Sequence, residues 1–354
     1  MNNNKNMELL FRYACSRRFE DFDALFSKME AEMSPDTFWE AYLLRAQIKL
    51  YSTDLTVLYD LAKAEQGSGR PQFSLLITNW KIDYLNRLIL FPRAPGALKD
   101  FLSVLPLLSE KFSHWYGSQS DAVLLQLQGE ILYFMGDIDA AMSFVEAQRA
   151  AEPENPTSAI LALILEYRCC LALLQPEKAH QCMFGIIRHS KAYPECVEIY
   201  KGFRIWANLT TSWSGDSPRF YDDEYGKKHP VLADRMEGIR LGVARDTPLE
   251  YPFLKYAEKS YEGIYSLRQY YMDWFHAMYW CSINDQKQTE AYFHKVYEVA
   301  AASGVFMPII ECGAQSIPTL NYMKNSGMQL PLDNLVQRAA HYEECLGKYR
   351  LADN

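Results

Sequence analysis

The side chains most suited to ligating a metal are His180, Cys182, His189 and Cys196. Imidazoles and thiols are zinc-binding types, but a site needs them to converge. On a helix, residues two apart point about 200° away from each other, so His180 and Cys182 do not share an ion without a loop. No nucleophile elbow G-x-S-x-G, no H-E-x-x-H pair and no G-x-x-x-x-G-K-[ST] loop is present. Gly67-Ser68-Gly69 has no strand before it and reads as a turn between helices. The chain is therefore expected to be no enzyme, with no metal and no cofactor.

Polar residues at helical spacing are the other candidates. Gln269, Asp273, His276 and Trp280 recur at i, i+4, i+7 and i+11, opposite an apolar arc of Tyr270, Tyr271, Trp274, Phe275 and Met278. Trp280 either tucks under the next hairpin or supplies apolar area to a ligand, as Trp does at binding hot spots. His276 is expected to switch charge near neutral pH, and Asp273 to fix a hydrogen-bond donor. Asn79 and Asn86 lie opposite one further apolar stripe, and Lys201 and Asn208 opposite another. Amides and a lysine on a shared face can hold a peptide backbone or a carboxylate. They are also ordinary surface residues. These eight positions form the expected ligand-binding set.

Helices must carry these stripes. Phe73, Leu76, Ile77, Trp80, Tyr84 and Leu88 share one face, and Cys196, Ile199, Tyr200, Phe203 and Trp206 share another. Prolines and glycines punctuate the runs, and no alternating run closed by an Asn-Gly or Asp-Gly turn occurs. Asp121 to Asn155 matches a tetratricopeptide repeat. Gly129 falls where a small residue lets the first helix approach a neighbour, Gly136-Asp137 at the turn, Ala141 at the small contact of the second helix, and Pro153 at the close. Leu125 and Leu132 stand at the usual aromatic positions. Further units begin near Asp36, Phe73, Ser118, Pro156, Pro194, Pro230, Leu267 and Gly304. The expected fold is all-α, an α-α superhelix of tetratricopeptide-like hairpins with a groove lined by the first helix of each pair. Its expected divisions are a disordered tail at 1–6, one array at 7–211, an irregular insertion at 212–229, and a second array at 230–354.

The 354 residues carry a formal charge of −8 and no basic cluster, which argues against direct nucleic-acid binding. The most apolar stretch, Ala159 to Leu174, is broken by Glu166 and Arg168, so no membrane span is expected. Eight cysteines without paired spacing and a polar N-terminus fit a cytoplasmic protein.

Gln286 to Gly313 adds a family likeness. An Ala-rich helix ends at Ala302-Ser303-Gly304, the apolar Val305-Phe306-Met307-Pro308-Ile309-Ile310 leads to Glu311, and Gly313 follows. This resembles the end of the helical-repeat region of bacterial LuxR-type regulators of the MalT-like group. The resemblance implies a signal- or partner-binding region of a transcriptional regulator. Its partner would be a protein, peptide or small-molecule effector, with homo-oligomer formation open. The chain departs from the family in its last helix, which holds Glu343-Glu344 and few basic residues, and no helix-turn-helix follows it. A stand-alone adaptor that docks a peptide of another protein is the alternative.

Overall fold

The computed structural model describes residues 19–34, 118–151, 154–197, 267–326 and 330–351 continuously, with isolated positions between 5 and 13, 37 and 41, 96 and 106, and 199 and 207. Every regular element among the described residues is helical. They are α1 (Phe19–Met29), α2 (Ser118–Met135), α3 (Ile138–Ala151), α4 (Pro156–Ala172), α5 (Pro176–Ala192), α6 (Leu267–Ser282), α7 (Gln286–Ser303), α8 (Met307–Ile310), α9 (Ile317–Asn325) and α10 (Leu332–Leu351). The irregular insertion expected at 212–229 lies outside the described residues. Within the expected tail, Lys5 and Asn6 are helical. The adjoining Met7 packs on a small N-terminal core of Leu10, Phe22, Phe26, Met29 and Ala41, which gives that stretch something to fold against.

Three hairpins, α2/α3, α4/α5 and α6/α7, turn in the same way. Gly136, Leu174 and Asn284 each sit in the left-handed region, at φ 88°, 58° and 59°. Each donates its backbone N–H three residues back, to Tyr133, Leu171 and Cys281. The next residue donates five back: Asp137 to Leu132, Gln175 to Cys170, and Asp285 to Trp280. That pair of bonds satisfies carbonyls orphaned at a helix end. The first two turns are 38 residues apart and the third follows after 110 (174−136 and 284−174), close to three times the 36 to 38 residues that separate most of the unit starts read from the sequence.

Local chemistry starts the helices. The Asn155 side chain accepts from Thr157 N and Ser158 N, and Pro156 opens α4 with a fixed φ. Asp285 accepts from Gln288 N at the start of α7, and Gly304, at φ 75°, ends it. The small residues act as the repeat requires. A Cβ on Gly129 would meet Leu165 Cδ2 at 2.6 Å and Phe144 Cβ at 3.1 Å, so α2 packs closely on both α4 and α3. Ala141, Ala179 and Thr289, each five residues beyond its turn residue, are fully buried.

The C-terminal elements do not simply extend the line of hairpins. α10 packs on α4 and α5, α8 packs on α2, and α9 packs on α6. The segment after Gly304 thus returns to helices more than a hundred residues earlier. No described helix is long and apolar enough to cross a membrane.

Candidate functional site

The densest polar cluster in the main core centres on Glu311, the acid of the Gly-apolar-Pro-acid-Gly junction. Pro308 opens α8, and the Glu311 N–H donates to Met307 O at 2.8 Å, so this one-turn helix sets where the carboxylate points. Its Oε2 accepts from the Tyr133 hydroxyl of α2 at 2.6 Å. Its Oε1 accepts from Trp206 Nε1 at 3.0 Å. The same indole N–H lies 2.8 Å from the Tyr271 hydroxyl of α6, which also accepts. Arg168 of α4 lays its guanidinium over the Trp206 ring at 4.1 Å and the Phe134 ring at 5.0 Å. Trp206, Tyr133, Arg168 and Glu311 are all essentially unexposed.

Burial is the first influence on these groups. It pushes the Glu311 carboxyl up to about 7, against the pull of the Arg168 charge and the bonds from Tyr133 and Trp206. The Tyr133 and Tyr342 phenols are likewise held well above the usual range, by burial first and then by the Glu311 charge. A buried carboxylate is tolerable only with donors and compensating charge close by, and here both come from other repeats. The cluster holds no thiol or hydroxyl nucleophile activated by a neighbouring base. What it can do is join segments and exchange one proton near neutral pH.

The stripe on α6 is also mostly interior. Gln269, Asp273 and His276 are 6%, 0% and 2% exposed, and Trp280 is half-buried against the main core. Gln269 Nε2 donates to Asp273 Oδ1 at 2.9 Å, and Lys295 of α7 reaches the same carboxylate at 3.0 Å. The His276 ring stacks on Tyr292 of α7, centroids 4.5 Å apart. Burial, and then the Lys295 charge, lower the His276 pKa to about 3. This corrects the expected charge switch: His276 stays neutral throughout the physiological range, because packing against α7 denies the imidazolium its water. Asn79, Asn86, Lys201 and Asn208 lie outside the described residues. Four of the eight candidates thus lie along one described helix, and of these Gln269 and Asp273 bond to each other.

The four metal-type side chains are engaged separately. His180 Nε2 meets Tyr349 O at 2.7 Å, His189 Nδ1 meets Gly185 O at 3.1 Å, and the Cys196 thiol donates to Pro156 O at 3.4 Å. Cys182 lies against Cys170, whose hydrogen bond with it is the main influence on both thiols. Among the described residues no group of three His, Cys, Asp or Glu can hold an ion.

Arg168 and Tyr133 are the residues sequence reading missed. A signal existed for Arg168. With Glu166 it is one of two charges in a largely apolar helix, and a charge buried there must find compensation in the core. Tyr133 carried none, since a tyrosine in an apolar stripe reads as ordinary packing. Comparison with protein-family models and with curated proteins finds no match to this chain.

Proposed function

We propose that this chain is the non-catalytic signal- or partner-binding repeat region of a LuxR-like transcriptional regulator. In this reading the described hairpins are units of a tetratricopeptide-like superhelix. The effector is a protein, peptide or small molecule met in the cytoplasm, and the chain itself does not touch DNA. The observation that carries the reading is the position of Glu311. The junction that gives the family likeness has its acid bonded to two upstream repeats through Tyr133 and Trp206. A change in the curvature of the array therefore reaches the end of the array directly, where a regulator would carry its output domain.

The effector face is placed around Trp280, the one of the four α6 residues that keeps part of its surface open, beside the half-exposed Lys295. Gln269, Asp273 and His276 then act from beneath, by fixing Lys295 and Tyr292. Replacing Trp280 by Ala should abolish effector binding and leave the helical circular dichroism intact. If the variant unfolds, Trp280 is a core residue and this face is discarded.

The alternative, a stand-alone adaptor, is separated by the natural reading frame. A helix-turn-helix encoded directly beyond residue 354 supports the regulator. A stop codon there, with no DNA-binding partner gene, removes it.

A further inference from the structure

Helices α2, α4 and α6 are the first helices of their hairpins, the set whose faces line the inner side of a helical-repeat array. In this chain each of these helices is packed by a C-terminal element. α8 packs on α2 and α6, α9 on α6, and α10 across α4 and its hairpin partner α5. α10 presents a continuous buried stripe of Leu332, Leu335, Ala339, Tyr342, Leu346 and Tyr349. Its end is held at α4 and α5. The Tyr349 ring stacks on His180, centroids 4.0 Å apart, and meets Tyr167 edge-on at 5.8 Å, and the Tyr349 carbonyl accepts from His180 Nε2 at 2.7 Å. An amphipathic helix laid along an apolar face is also the way many helical-repeat and groove proteins hold a peptide.

We infer that residues 307–351 are a built-in occupant of the inner face, a latch that an effector helix of the same apolar pattern must displace to bind. This rests on the reading of the array as a partner-binding region and adds how that region is kept closed. Two features suit the segment to move as a unit. Gly304 and Gly313, both at positive φ, bracket α8. The contacts to α2, α4 and α5 span more than 130 residues of chain, whereas each hairpin beneath is held by close packing between its own two consecutive helices.

Native-state hydrogen exchange on the full chain tests this. The amides of α10 should exchange at least ten-fold faster than those of α4, through an opening that leaves α4 protected. Equal protection of the two helices overturns the latch, because the segment would then open only with the whole molecule. A labelled peptide with the sequence of residues 332–351 gives a second readout by fluorescence anisotropy. Its apparent affinity is reduced by the fraction of chains that are closed. Tyr349→Ala, which loosens the resident helix, should therefore bind it at least ten-fold more tightly than the wild type. Equal affinity for both chains, or no saturable binding to either, overturns the proposal. Neither readout depends on what is encoded beyond residue 354, so the latch and the regulator reading fail separately.

Discussion

At the scale of single residues, two buried titratable groups should set opposite pH slopes. Burial raises Glu311 from 4.5 to about 7, so between those values the folded state binds more protons than the unfolded chain. Its contribution to stability then falls as pH rises from 4.5 to 7. His276 is lowered from 6.5 to about 3, so the unfolded chain is the one that binds the extra proton. Its contribution rises with pH from 3 to 6.5. The two slopes offset each other between pH 4.5 and 6.5. Urea melts of Glu311→Gln across pH 4 to 8 should show a steeper rise to pH 6.5 than the wild type, with a difference on the order of 3 kcal/mol across the range. A difference that does not change with pH would mean that Glu311 is not titrating in the fold. His276→Gln should give the converse, a stability that falls from pH 4.5 to 7.

At the scale of elements, two helical glycines should respond in opposite ways. Gly129→Leu forces α2 away from Leu165, and overpacking of this kind costs roughly 1–3 kcal/mol. Gly129→Ala gains helix propensity but places its methyl 2.6 Å from Leu165 Cδ2, so it should bring no rise in melting temperature. Gly347 lies within α10 with nothing within 4 Å of a Cβ built there. Gly347→Ala should stabilise by about 0.5–1 kcal/mol, the ordinary propensity difference. Thermal melts monitored by circular dichroism measure all three. A raised melting point for Gly129→Leu would show that α2 does not pack closely on α4. The hairpin turns belong to this scale, and they were legible in part. Gly136-Asp137 announces its turn by residue type, and Asn284-Asp285 does so nearly as well. Leu174 does not, because a leucine at φ 58° is held there by the helices on either side and has no local preference for it.

At the scale of the whole molecule, far-ultraviolet circular dichroism should show mainly helix and essentially no sheet. Substantial strand content would contradict the architecture. Electrophoretic shift with duplex DNA at physiological salt should give no complex, because a chain of net charge −8 repels phosphate. Tight, sequence-dependent binding would remove the placement of this chain as the sensory part of a regulator.

The all-α class, the spacing of the repeat units, the close approach at Gly129 and the turn at Gly136 were present in the sequence alone. They rest on helix period, turn chemistry and side-chain size, which act over a few residues. The return of α8 to α10 onto α2, α4 and α5, the burial of Gln269, Asp273 and His276, and the meeting of Tyr133, Arg168 and Trp206 with Glu311 were decided only by the tertiary structure. Tyr133 and Glu311 are 178 residues apart. Whether such residues meet depends on the accumulated rotation of every hairpin between them, and no local pattern of side chains encodes that sum.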